Sequence, residues 1–182
     1  MKITTKIFTA IAAFMLFSAP LTAQTSQNVF KVNLLSPLLR SGSFFYERAI
    51  NEDVSLQMGF FYSGATISQT TFRGFGITPE ARYYLSEKPA PAGVFVAPYL
   101  RYQSFSLTGE ESSDEATFSS FGGGLLIGTQ AVFKDRISLE AFIGPSYSSG
   151  SLKVTSGSVD DFNTGVFDGF GVRFGFTVGL AF

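Results

Sequence analysis

From Phe170 onward every second residue is apolar: Phe170, Val172, Phe174, Phe176, Val178, Leu180 and Phe182. Between them lie Gly171, Arg173, Gly175, Thr177, Gly179 and Ala181, so one face is continuously greasy and the other small or polar. A period of two is that of a β-strand. An unbroken apolar row of this length is rare in a water-soluble sandwich, whereas a tilted membrane-spanning strand needs roughly nine to eleven residues of such alternation. The stretch 168–182 therefore predicts a transmembrane strand, with an edge of a soluble sandwich or barrel as the alternative.

The same alternation recurs along the chain and predicts seven earlier strands. The first, near 29–35, sets Phe30, Val32 and Leu34 against Lys31 and Asn33; the second, 43–50, sets Phe44 and Tyr46 against Ser43 and Glu47. A third over 54–62 turns Leu56, Met58, Phe60 and Tyr62 outward, with Ser55, Gln57 and Gly59 on the other face. The fourth, 74–85, alternates Phe75, Ile77, Ala81, Tyr83 and Leu85 with Gly76, Thr78, Glu80, Arg82 and Tyr84. Pro79 falls on its outward row and donates no ladder hydrogen bond, which predicts a bulge there. The fifth (94–105) places Val94, Val96, Leu100 and Tyr102 outside and Tyr99, Arg101 and Gln103 inside, with Pro98 again in the outward row. The sixth (118–133) turns Phe121, Leu125, Ile127 and Ala131 outward, and the seventh (137–147) does the same with Ile137, Leu139, Ala141, Ile143 and Tyr147 against inward Ser138, Glu140, Phe142 and Gly144.

The connections differ in a regular way. Those at 51–53, 86–92 and 134–136 are short, while those at 63–73, 106–117 and 148–167 are longer and polar. Short turns on one side and long loops on the other are how outer-membrane barrels are built, which puts both ends of the barrel in the periplasm. An even strand count also lets the last strand pair with the first, leaving no unpaired edge in lipid. The expected fold is all-β: an eight-stranded antiparallel transmembrane β-barrel of up-and-down meander topology.

What precedes the strands changes the picture of where the chain works. Lys2 and Lys6 lead into an apolar run over residues 7–17, followed by Ser18, Ala19, Pro20, Leu21, Thr22 and Ala23. This reads as a cleaved signal peptide over 1–23, too short in its apolar core to span a bilayer permanently, ahead of a single barrel domain over 24–182. Losing the two lysines moves the formal charge from −1 to −3. Cysteine and histidine are both absent, which excludes disulfides, thiolate metal sites and thiol nucleophiles, and removes the commonest general base and zinc ligand.

The runs 29–35 (VFKVNLL), 45–49 (FYERA), 79–85 (PEARYYL) and 139–145 (LEAFIGP) resemble small outer-membrane barrels of Bacteroidota whose domain has no assigned function, and more distantly the OmpA/OmpX type. The resemblance covers the mature chain and implies architecture and location, the outer membrane of a Gram-negative bacterium, without implying any functional residue. A last strand ending on Phe182 also resembles the C-terminal signature by which such barrels are taken up by the outer-membrane insertion machinery. Expected partners are thus that machinery and outer-membrane lipids, with no nucleic acid and no cofactor.

The candidate chemistry lies on the inward rows: Lys31, Arg82, Arg101 and Arg173 against Glu47, Glu80 and Glu140. An eight-stranded barrel has an interior only wide enough to be filled by side chains, so these groups are expected to pair as a structural network and plug the lumen. Inward glycines at 122, 124, 128, 171, 175 and 179 are expected to make room for the long arginines and glutamines opposite them. Glu110, Glu111, Asp114 and Glu115 form an acidic loop whose spacing matches no calcium loop. Gly169, Gly171 and Gly175 keep strand period and do not open a helix, unlike a nucleotide-binding loop. The function expected is a non-enzymatic barrel acting in envelope integrity or surface interaction through its loops. The alternatives are a narrow pore or an outer-membrane lipid-modifying enzyme, a class that relies on the histidine missing here. A lipocalin-like carrier would need the opposite polarity, apolar inside and polar outside.

Overall fold

The protein is described here by a computed structural model covering residues 27–67, 70–109, 115–156 and 169–182. Eight strands follow one another: β1 (Asn28–Asn33), β2 (Ser41–Ala49), β3 (Val54–Ile67), β4 (Thr70–Tyr84), β5 (Gly93–Gly109), β6 (Glu115–Phe133), β7 (Ile137–Ser156) and β8 (Gly169–Ala181), with one 3-10 turn at Ser36–Leu39. Each pairs antiparallel with its neighbour in sequence, and β1 closes on β8 through rungs such as Val29↔Ala181 and Asn33↔Thr177. Closure is completed where the Asn28 and Phe182 backbones exchange hydrogen bonds of 3.0 and 2.8 Å. The signal-peptide reading of 1–23 concerns residues outside those described.

The short turns follow from local chemistry. At Asn51 the side-chain Oδ1 accepts from the backbone N–H of Asp53 and of Val54, an Asx turn that reverses the chain between β2 and β3. Lys134 and Asp135 both take positive φ, 51° and 53°, and Arg136 N–H donates to Phe133 O at 3.0 Å. That is the primed turn whose twist matches a tight hairpin, formed here without glycine.

Facing is as the alternation predicts. Leu56, Met58, Phe60 and Tyr62 are exposed on β3 while Ser55 and Gln57 are buried; Ile77 and Tyr83 are exposed on β4 while Glu80, Arg82 and Tyr84 are buried. Phe174 is 61% exposed and Phe170 89%, so the apolar row of β8 lies on the outer wall. Rings pack across strands on that wall, Phe30 on Phe44 at 6.3 Å, Phe60 on Phe75 at 6.5 Å and Tyr147 on Phe170 at 4.9 Å.

Two expectations about the strands need correction. The stretches read as long polar loops are largely ladder: β3 and β4 pair as far as Ile67↔Thr70, β5 and β6 as far as Thr108↔Glu115, and β7 runs to Ser156. Outward apolar residues give out there, which hid the strands, but backbone pairing does not require them. The bulge expected at Pro79 is also absent. Its rung with Met58 is in register, and β4 pairs with β5 in one register from Ile77↔Tyr102 through Glu80↔Tyr99 to Tyr83↔Val96. The rungs skip Thr78, Pro79, Ala81 and Arg82, so Pro79 and Pro98 thin one seam without shifting it. A register shift occurs instead at Glu115/Ala116 against β7.

Candidate functional site

The lumen is stacked in layers. Its lower mouth is closed by the β4–β5 turn, which folds inward so that Ala90 and Pro91 are buried. Pro91 O accepts from Gln130 Nε2 at 2.7 Å, and Glu52 O accepts from Ala90 N–H at 2.7 Å.

Above this turn lies the charged layer. β1 supplies Lys31, whose Nζ donates to Glu47 Oε2 at 2.5 Å, Glu140 Oε2 at 2.5 Å and Gln130 Oε1 at 2.8 Å. Those three bonds use every donor an ammonium has. From β4, Arg82 meets Glu140 with both terminal nitrogens, Nη1 to Oε2 at 2.6 Å and Nη2 to Oε1 at 3.1 Å, and places Nε on Glu80 Oε1 at 2.7 Å. Such a fork is the strong form of a guanidinium–carboxylate pair. Glu47 Oε2 also faces Arg82 Nη1 at 3.2 Å, while its Oε1 accepts from Tyr84 OH at 2.6 Å and from Ser55 Oγ. Arg173, from β8, reaches Glu80 Oε2 at 3.3 Å.

All six carboxylate oxygens of Glu47, Glu80 and Glu140 thus hold at least one bond. One ion-pair network joins Lys31, Glu47, Glu80, Arg82, Glu140 and Arg173. Arg101 stands apart from it. Its guanidinium stacks on Phe61 at 4.6 Å, and Arg173 stacks on Tyr99 at 4.5 Å and Phe142 at 5.2 Å. An arrangement this saturated orders the barrel interior and leaves none of these three carboxylates without a partner.

The alternation turns Tyr84, Tyr99 and Phe142 inward, but the apolar clusters of the lumen, with Phe95, Leu126, Phe105, Leu107, Ala116 and Phe118, are not read from it. Tyr84, Phe95, Tyr99, Leu126 and Phe142 form one buried cluster around the charges, and Phe105, Leu107, Ala116 and Phe118, backed by Phe61, form a second toward the upper end. Of this second cluster, Leu107 and Ala116 lie in the stretch read as loop, and Phe105 and Phe118 at the ends of the strands beside it. The inward glycines serve these rings more than the cations. Phe45 lies opposite Gly59, Phe61 opposite Gly76, Phe95 opposite Gly128 and Phe142 opposite Gly175, and a methyl group at any of these glycines would fall under 3.0 Å from the ring. Of the glycines expected to accommodate arginine or glutamine, Gly179 abuts Lys31, Gly124 abuts Tyr99 and neighbouring backbone, and Gly122 and Gly171 face Ser148 and Ser146. The signal was available in the parity of Phe95 and Phe105 with Arg101.

The acidic loop lies outside the described residues from Glu110 to Asp114, and so does the side chain of Glu115.

Among solved structures, the fold is similar to the N-terminal β-barrel domain of Pseudomonas aeruginosa OprF (TM-score 0.46, 13% identity, 87% of this chain and 98% of that one). It is similar also to a major outer membrane protein from Thermus thermophilus (0.47, 18%, 85% and 99%) and to Acinetobacter baumannii CarO2 (0.41, 12%, 86% and 96%). No curated protein matches the sequence. Residues 10–154 match the family described as "Protein of unknown function (DUF3575)", and the chain belongs to that family.

Proposed function

We propose that this chain is a non-enzymatic integral outer-membrane β-barrel of a Gram-negative bacterium, serving envelope integrity or surface interaction through its outer loops, with its lumen plugged. The observation that carries this reading is the polarity of the wall. Apolar side chains such as Leu56, Ile77, Leu125, Ile143 and Phe174 are exposed around the outside, while Lys31, Glu47, Arg82 and Glu140 are buried inside. A soluble barrel arranged this way would leave its largest apolar surface in water and its charges out of it. In a bilayer the same arrangement satisfies both, and closure leaves no strand edge in lipid. In this reading residues 1–23 act as the export leader, lipids cover the belt, and the β8 row ending at Phe182 meets the insertion machinery. The Bacteroidota resemblance rests on the sequence runs alone.

Cell fractionation with detergent gels tests the proposal. The mature protein is expected in the outer-membrane fraction and, unboiled, as a compact band that shifts on heating. Recovery in the soluble periplasmic fraction would overturn it.

A further inference from the structure

Among the described residues the lumen holds four cations, Lys31, Arg82, Arg101 and Arg173, against three carboxylates, Glu47, Glu80 and Glu140. Both oxygens of Glu80 are engaged, one by Arg82 and one by Arg173, and Glu47 and Glu140 are held by Lys31 and Arg82. Arg101 is left without a carboxylate among the described residues, and its Nε–H is shut away from solvent with no acceptor. A partnerless cation inside a protein is costly, as is a buried donor left unmade.

The surroundings of Arg101 say what would complete it. Phe61 covers one face of the guanidinium at 4.6 Å, and in the plane of the half-buried group the Nε–H has no acceptor. Arg173 approaches the same layer, its guanidinium over the ring of Tyr99, the inward residue next below Arg101 on β5. Among the described residues two cations therefore share that level with a single carboxylate, Glu80. Above them Gln103 Nε2 is tied to Ser120 Oγ at 2.8 Å, and Phe105, Leu107, Ala116 and Phe118 roof the layer. The roof disfavours a large or heavily hydrated guest.

We propose that the upper lumen is an anion-binding site, in which a small monovalent anion of the halide or carboxylate type sits on the in-plane edge of Arg101 beside Arg173. The bound anion balances the lumen charge and gives the Arg101 donors their acceptor. Stacking on Phe61 holds Arg101 and pairing with Glu80 holds Arg173, so the site is a resident-ion position and not a conduction path.

The test uses the mature protein folded in detergent micelles, labelled with nitrogen-15 in arginine, with sodium chloride as probe and sodium gluconate at equal ionic strength as the bulky control. The side-chain Nε–H resonances of Arg101 and Arg173 are expected to shift saturably with chloride and not with gluconate. Arg101→Gln, read at Arg173, is expected to weaken the apparent chloride affinity about tenfold or more, the loss of a charge-assisted hydrogen bond. Arg101→Lys keeps the cation and is expected to retain saturable binding. An unsaturable drift in the wild type, or an unchanged response in Arg101→Gln, would overturn the site. Should Arg101→Gln fail to give the heat-modifiable band, bromide-soaked wild-type crystals decide. An anomalous peak on the Arg101 edge supports the proposal, and a bare edge sinks it.

Discussion

At Gly76 a single hydrogen in place of a methyl group decides how the upper lumen packs. A Cβ there would collide with Phe61 Cε1, and Phe61 is the ring that tilts against Phe105 at 6.0 Å and lies over Arg101. Gly76→Ala must therefore push Phe61 away from both. Overpacking of this kind typically costs about 1–3 kcal/mol. Gly64, in the same hairpin, has open space where a methyl group would go, with nothing within 4 Å, so Gly64→Ala is its natural control. Urea unfolding in detergent is expected to show a lower midpoint for Gly76→Ala and little change for Gly64→Ala. Equal midpoints would mean that Phe61 does not need the space. The same logic explains why the residue class abundant beside phenylalanine in this chain is glycine: across the lumen seams each ring lies over a position with no side chain of its own, as designed sheets pair aromatics with glycines.

At the scale of the strand, β8 shows what alternation reveals and what it conceals. Its outward row was legible because apolar and small residues strictly alternate, and the barrel followed because the same period recurs with an even count. The upper ends of β3 to β7 were not legible, since Ser63, Thr71, Ser106 and Ser151 carry no apolar signal while their backbones still pair. Phe95 was concealed for the opposite reason, while Tyr99 and Phe142 were legible from the alternation. Val94, Phe95, Val96 and Ala97 read as one apolar run, although Phe95 and Ala97 are buried and Val94 is exposed. Facing can be tested on β8 itself. Phe174→Arg puts a charge near mid-strand on the outer wall and is expected to cost about 2 to 4 kcal/mol of folding stability in bilayers, the usual penalty for a lipid-facing arginine at the midplane. Glu87→Ala, in the exposed β4–β5 turn, is expected to change little. If the two variants refold from urea into lipid vesicles with the same midpoint, the outer wall is not in lipid.

At the scale of the whole molecule the question is whether the barrel conducts. Three layers stand in the way: the inturned Ala90 and Pro91, the ion-pair network, and the upper cluster of Phe105, Leu107, Ala116 and Phe118. An eight-stranded barrel has no spare width around such side chains. The wild type is therefore expected to show negligible conductance in planar bilayers. Arg82 is the group to remove, because it alone bonds all three carboxylates, Glu47, Glu80 and Glu140. Arg82→Ala leaves Glu47 and Glu140 to share Lys31 alone and Glu80 to Arg173, out of reach of water, and breaking buried pairs in this way typically costs about 3–5 kcal/mol. Lys88→Ala, at an exposed turn position, supplies the comparison and is expected to be silent in both stability and current. With three carboxylates held by two cations, repulsion loosens the middle layer while the upper and lower closures persist, so Arg82→Ala is expected to give brief, small openings and no sustained current. Steady large channels from the wild-type protein would show that the layers do not seal the lumen, and the barrel would then have to be understood as a pore.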